Sequence, residues 1–395
     1  MLLYIHVPFC IQKCSYCAFY SVPLCHAGAK AGTGTSGLLA RFPETVIQEL
    51  HFQRQHLGPV AITSIFFGGG TPSLLSPSAV QTIIRAITDN FPVSADAEIS
   101  MEANPASALV SGWLQGVRAA GVNRLSLGVQ SLDADALRLL GRLHSADEAA
   151  LAVRAARAAG FDSLGLDLIW GLPQRACNTH PAGAAVARWL HTVQAALGLE
   201  PDHISAYNLT LEQGTPLEGL VATGQAVLPT EEEEKAMYLE GIALMARHGL
   251  HQYEVSNFAK PGHACRHNLG YWQGMDYLGL GPSAVSCIGN NRRTNAPDLA
   301  AWDRQIRAKG QALATLEPLE PRVRLEERLM LGLRMSKGLN LEQWRQENGP
   351  PLPADFLEAL QQAGYATLHG EQLALTPPGM LLSNSIVAKL FEYIE

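Results

Sequence analysis

Short apolar runs alternate with amphipathic stretches over more than half of this chain, and that alternation restricts it to strand–helix units built on a mainly parallel sheet. Leu2–His6, Ser64–Phe67, Glu98–Glu102, Arg124–Val129, Ser163–Ile169 and His203–Asn208 read as six strands. Between them, Pro43–Gln55, Ser78–Asn90, Ala106–Ala119, Ala146–Ala158 and Ala182–Leu197 carry apolar residues at three- and four-residue spacing and read as helices. The unusual residues stand at the strand ends: Gly68-Gly69-Gly70-Thr71-Pro72, Asn104-Pro105, Gln130-Ser131 and Gly171-Leu172-Pro173. Ligands collect at the carboxyl ends of strands in barrel-like and open α/β folds, so one shared site is expected there.

Two segments break the rhythm. Leu24–Gly37 is rich in Gly and Ala and reads as a loop or linker. After Glu317 the text turns helix-rich and ends in the strand-like pieces Tyr365–Leu368 and Leu373–Leu375, which predicts a small C-terminal helical domain with a wing-like hairpin. That domain is expected to cover the mouth of the site or to dock a partner. The tail carries an apolar stripe, Ile386, Leu390 and Ile394, of the kind that packs inward. The chain divides into 1–220, with the shared site, 221–310, an extension, and 311–395, the helical domain.

Charge and cysteine usage narrow the partners. At 395 residues, 47% hydrophobic and 16% charged, the chain can bury a large core, and no apolar run reaches the about 20 residues a membrane span requires. A net charge of −7 argues against nucleic acid, whose binders show basic patches. The opening MLLYIHVPFC lacks a basic start and reads as a strand rather than an export signal. Seven scattered cysteines without such a signal suit reduced thiols in the cytoplasm.

Three of those thiols are clustered. Cys10-x-x-x-Cys14-x-x-Cys17 places three soft ligands within one loop immediately after the first strand. Iron–sulfur clusters are commonly held by four thiolates, so three would leave one iron open to a small ligand. Two other readings fit the same spacing: a zinc site completed by His6 or Cys25, or three unrelated buried cysteines.

The string YIHVPFCIQKCSYC, followed in order by FFGGGTPS, EISMEANP, NRLSLGVQS and DLIWGLP, resembles the radical S-adenosylmethionine superfamily. More narrowly it is similar to the branch that holds oxygen-independent coproporphyrinogen III oxidase and related heme chaperones. The resemblance spans nearly the whole chain. It implies a partial (βα)6 radical-SAM barrel with a winged-helix-like C-terminal domain, and a [4Fe-4S] cluster on Cys10, Cys14 and Cys17 whose open iron chelates S-adenosylmethionine. By the same resemblance Tyr4 and Tyr16 would lie beside the cluster and cosubstrate, and Gly69, Gly70 and Thr71 would bind the methionine end. The residues agree in part, since glycine lets backbone amides approach an anion closely. Glu102 matches the position that contacts the nucleoside. Gln130, Arg142 and Asp167 match positions that contact a second S-adenosylmethionine in the oxidase, although Arg142 and Asp167 would also make a plain ion pair.

Within that branch the choice lies between an enzyme that decarboxylates coproporphyrinogen to protoporphyrinogen and a chaperone that binds heme and hands it to client hemoproteins. The oxidase pattern carries a further cysteine two positions after the third, where this chain has Phe19. CRHNLGYW contains an HNxxYW string characteristic of the chaperones, in which His267 or Cys265 would ligate iron and Tyr271 and Trp272 would stack on the macrocycle. The other reading of His267 is a structural histidine bonded to backbone. The scaffold is thus expected to serve as a heme chaperone rather than as a coproporphyrinogen dehydrogenase. Respiratory hemoproteins as clients and a homodimer in the heme-bound state follow by analogy with the family.

Overall fold

A computed structural model describes residues 1–24, 35–176 and 183–394. All six expected strands form, as β1 (Leu2–Val7), β2 (Ile62–Gly69), β3 (Val93–Ala103), β4 (Arg124–Gln130), β5 (Ser163–Trp170) and β6 (His203–Asn208). They pair in parallel in chain order, β1 to β6. The sheet continues beyond both ends of this series. Past β6 lie β7 (His251–Glu254) and β8 (Asn257–Ala259); past β1 lie β9 (Tyr277–Leu280), β10 (Val285–Ile288), β11 (Asn291–Asn295) and β12 (Leu313–Pro318). The order is β7-β8-β6-β5-β4-β3-β2-β1-β9-β10-β11-β12, an open barrel.

Alternation along the strands separates two faces. Leu3, Ile5, Val7, Ile65, Phe67, Met101, Leu125, Leu127, Leu166 and Leu168 are buried in the main apolar core with the helices. The residues between them turn to the concave side and are largely polar, among them His6, Ser64, Glu98, Ser100, Glu102, Ser126 and Asp167. Several of these groups find partners inside the lumen, as Ser126 does with Asp167 and Ser64 with His267.

The helices on the outer face are α1 (Thr35–Leu57), α2 (Pro77–Asn90), α3 (Trp113–Ala119), α4 (Ala146–Ala158), α5 (Ala184–Leu197) and α6 (Glu231–Arg247). Pro77 at the first turn and the Ser76 cap start α2, and a Ser145/Glu148 capping box starts α4. Two helices differ from expectation. Helix α1 begins at Thr35 and runs through Pro43, so residues 35–37 are helical rather than loop. Phe42 explains this, because it sits edge-on to Phe9 at 5.5 Å and against Trp302 at 5.7 Å, and that burial outweighs the proline. The expected Ala106–Ala119 helix is two pieces, Pro105–Ala108 and α3, broken at Gly112 with φ 73°. There the Trp113 indole donates to the Leu75 carbonyl at 2.9 Å and fixes the second piece. Cys25 and most of the Leu24–Gly37 segment lie outside the described residues.

Helices α7 (Arg266–Trp272), α8 (Leu299–Lys309) and α9 (Pro321–Leu333) follow. The C-terminal region adds helices Leu341–Gln346, Ala354–Gln362, Pro377–Leu381 and Ser383–Phe391 around a small antiparallel sheet containing the expected hairpin, Ala366–His369 with Gln372–Leu375. The tail stripe is packed: Ile386, Leu390 and Ile394 are buried. This region docks on the β7 edge, where Val255 N–H donates to the Arg334 carbonyl and Ser336 N–H to the Tyr253 carbonyl. Among the described residues no helix is long and apolar enough to cross a membrane.

Candidate functional site at the strand ends

A cavity of about 500 Å³ opens at the carboxyl ends of β1 to β6, and residues following or ending all six strands line it. Cys10, Cys14 and Cys17 are on its wall as free thiols, with Tyr16, Gly69, Gly70, Thr71, Glu102, Gln130, Arg142 and Asp167. Among the described residues its lining runs from Cys10 to Glu212 and includes none from the C-terminal domain. Tyr4 and His267 are not in the wall.

The cysteine loop is clamped from below. Ser15 donates through its amide to the Leu140 carbonyl at 3.1 Å and through its hydroxyl to the Leu139 carbonyl at 2.7 Å. The Thr71 hydroxyl donates to Cys10 Sγ at 3.4 Å, and Arg142 Nη1 donates to Cys14 Sγ at 3.4 Å. Burial pushes the Cys17 thiol up, against a backbone hydrogen bond from Phe19 that lowers it. Among the described residues no three His, Cys, Asp or Glu side chains gather closely enough for a single metal ion.

His6 is not free to complete a zinc site. Its Nε2 lies 3.0 Å from the Tyr20 carbonyl, which can only accept, so Nε2 carries the proton and Nδ1 accepts from the Tyr4 hydroxyl at 3.1 Å. Burial lowers the His6 pKa, in keeping with that neutral ring. Tyr4 thus stands outside the cavity wall and holds His6. Cys25, the other suggested fourth ligand, lies outside the described residues.

The glycine loop is built for close approach of chain to chain. A Cβ on Gly70 would lie 2.7 Å from the Phe9 carbonyl oxygen and 3.0 Å from that of Val7, and one on Gly69 would lie 2.6 Å from the His6 ring. Gly69 also has φ 112°. Their amides are already engaged: Gly69 N–H donates to Glu102 Oε2 at 3.2 Å and Gly70 N–H to the Val7 carbonyl at 2.8 Å.

Two acids share the floor. Glu102 is pushed up to about 8 by burial and then by the neighbouring Asp167, with the Gly69 amide opposing. Burial raises Asp167 also, against hydrogen bonds from Ser205 and Ser126, the latter at 2.8 Å. Arg142 does not pair with Asp167; it reaches Cys14 and the Gly128 carbonyl, the latter at 2.5 Å. Burial also raises the Tyr16 hydroxyl, with Arg142 opposing. Gln130 reaches the wall from a strand end with φ 65°, an uncommon backbone for a residue other than glycine.

His267 lies at the opposite end of the sheet. Helix α7 is anchored at its first turn, where the Glu98 carboxylate accepts from the amides of Arg266 at 3.0 Å and His267 at 3.1 Å and from Cys265 Sγ at 3.3 Å. Ser64 belongs to the first half of β2 and its register partner Glu98 to the middle of β3. The His267 ring is fully buried, bonds Ser64 Oγ through Nδ1 at 2.8 Å, and stands edge-on to Tyr271 at 4.8 Å. Burial lowers its pKa to about 3. As placed, His267 and Cys265 are both buried away from the cavity, and His267 Nε2 has no hydrogen-bond partner. The histidine bonds a serine hydroxyl rather than backbone.

A feature the sequence reading missed surrounds the mouth. Phe19, Leu143, Tyr207 and Ile11 all line the cavity and are 72%, 54%, 43% and 40% exposed. Phe19 was noticed only for what it replaces. Tyr207 could have been found from its place near the end of the sixth strand, two residues beyond Ser205 on the same face.

Comparison with known proteins agrees with this architecture. The model of the radical SAM superfamily matches residues 4–175 and that of the HemN C-terminal domain matches 319–382. The chain is 36% identical over its whole length to radical S-adenosyl methionine domain-containing protein 1, mitochondrial, of Danio rerio, 87% of which it covers. It is 33% identical to heme chaperone HemW of Bacillus subtilis, with 97% of each chain covered. The solved structure of coproporphyrinogen III oxidase (HemN) from Escherichia coli superposes with a TM-score of 0.79 over 99% of this chain and 90% of that one, at 24% identity, a likeness of fold. An open α/β barrel with three thiols at the strand ends, matched to these relatives along its full length, belongs to the radical SAM superfamily, in the HemN-like branch close to the HemW proteins.

Proposed function

We propose that this protein binds heme and delivers it to client hemoproteins, on a scaffold that carries a [4Fe-4S] cluster and S-adenosylmethionine. The observation that carries the choice over the oxidase is Phe19, an exposed apolar side chain on the cavity lip where the oxidase pattern has a further cysteine. The relatives named heme chaperones support the same choice.

The donor set fits the cluster. Three free thiols line one cavity, and Gly70 lets the backbone of residues 7–9 close over them. Bound there, such a cluster supplies an open iron and a single electron. The chain's own part is to orient and to balance charge. Glu102, pushed up to about 8, and Asp167, raised by burial as well, are placed to face a cationic cosubstrate and to accept from its hydroxyls. The lip formed by Phe19, Leu143, Tyr207 and Ile11 is an apolar surface on which a flat macrocycle can lie, with Lys13 beside it for a propionate. In this reading the α7 segment supports the barrel and the lip receives the heme. The reading includes a cytoplasmic location, respiratory clients and a homodimer in the heme-bound state.

The test is one anaerobic sample reconstituted with iron and sulfide, titrated with heme and then incubated with coproporphyrinogen, reductant and S-adenosylmethionine. Heme binding that Phe19→Glu weakens, with coproporphyrinogen unchanged, is the expected result. Formation of protoporphyrinogen would restore the oxidase reading.

A further inference from the structure

We infer that Arg142 sets the electron affinity of the cluster, by presenting a fixed positive charge to one of its three thiolates, Cys14. The inference rests on the cluster reading above and concerns a residue whose expected role was in binding cosubstrate.

The geometry is that of a clamp. Arg142 follows the short helix Ala134–Leu139, and its amide donates to the Leu137 carbonyl at 2.9 Å. The same turn holds the cysteine loop, because Leu139 and Leu140 accept from Ser15. Gly141, at φ 68°, comes close enough that a Cβ would stand 3.4 Å from the Ser15 nitrogen. Cys14 and Arg142 are therefore positioned by one piece of backbone. At the other end the guanidinium is tied by Nη2 to the Gly128 carbonyl at 2.5 Å, which leaves Nη1 aimed at Cys14 Sγ at 3.4 Å. A planar fork held at both ends has little freedom to turn away.

The charge is not spent elsewhere. Nε is buried without a partner, and the acid that feels Arg142, Asp167, is hydrogen-bonded to Ser126 instead. The three thiols thus differ in their surroundings. Cys10 receives a neutral hydroxyl from Thr71 and Cys17 a backbone amide, with Lys13 acting on it only through space, whereas Cys14 receives a hydrogen bond from a cation. Reduction adds one negative charge that spreads over the sulfurs, so a guanidinium one hydrogen bond away stabilises the reduced form more than the oxidised one. Arginine does not lose its proton in proteins, so this contribution persists over the working pH range. Lysine is a poor substitute because a point charge on a flexible stem cannot hold Gly128 and Cys14 together.

The experiment is a redox titration of reconstituted protein, followed by electron paramagnetic resonance of the reduced cluster, with iron and sulfide measured on each sample. Arg142→Gln is expected to load as much iron as the parent and to titrate at a lower midpoint potential, with Arg142→Lys between the two. Arg142→Met, which keeps the stem, takes the place of the Gln variant if the latter loads no iron. A fully loaded charge-free variant with the parent's potential would overturn the inference, as would failure of both charge-free variants to load while the parent does. A parent that binds no iron is a different failure, that of the cluster reading itself.

Discussion

Replacing Glu102 by Gln tests how the empty cavity handles charge. In the folded protein this carboxyl sits at about 8, against an ordinary value of 4.5, because it is buried and faces Asp167. A carboxyl whose pKa rises on folding contributes stability that is fully present below its unfolded pKa and is lost as pH climbs through the folded one. Each unit corresponds to about 1.4 kcal/mol, so ionising Glu102 costs at most roughly 4 to 5 kcal/mol. Water entering an open cavity relaxes part of that, and about 2 kcal/mol is the working figure. The amide keeps an oxygen for the Gly69 N–H and carries no charge. Urea unfolding of cofactor-free protein is therefore expected to find parent and Glu102→Gln within about 0.5 kcal/mol at pH 5, and the variant more stable by about 2 kcal/mol at pH 9. Glu49 and Glu254, each raised by burial to about 7, shift both proteins alike and cancel in the difference. An effect of the same size at both pH values would refute the reasoning.

His267→Ala removes a fully buried ring and leaves the Ser64 hydroxyl without its partner, so it is expected to cost roughly 3 to 5 kcal/mol in denaturant unfolding. Its heme affinity per folded molecule should be unchanged; a loss below about 1 kcal/mol would remove the structural role argued for α7. Gly70→Ala forces a methyl to 2.7 Å from the Phe9 carbonyl oxygen, and iron analysis after reconstitution should show a marked loss of loading. Full loading would mean that the cysteine loop adapts.

The barrel was legible because its strands are short, apolar on alternate residues, and punctuated by Gly, Pro and Asn at their carboxyl ends. Ala146–Ala158, read from its apolar spacing, matches to the residue, and a Ser145/Glu148 capping box fixes its start. The start of α1 was not, since Phe42 is held by Phe9 and by Trp302, a residue 260 positions later, and no local pattern reports that. The same limit applied in the site. Spacing identified the cysteine loop and the resemblance pointed to the acids, but whether an amide is free or spent depends on a strand-to-strand distance. The partners of the Gly69 and Gly70 amides, Glu102 and Val7, could not be read from the loop sequence. The burial of His267 was hidden for a related reason: the motif marks the residue, whereas its surroundings depend on Ser64 and Glu98, more than 160 positions away.

The main-chain bonds from residues 334–336 to the β7 edge bear on how the C-terminal domain can be studied. They seal a strand whose unpaired amides and carbonyls would otherwise invite association with other chains. A form truncated before them would lose solubility whatever the domain does for clients. Recognition by this domain has to be mapped with point substitutions on its outer surface, because deletion would report aggregation in place of recognition.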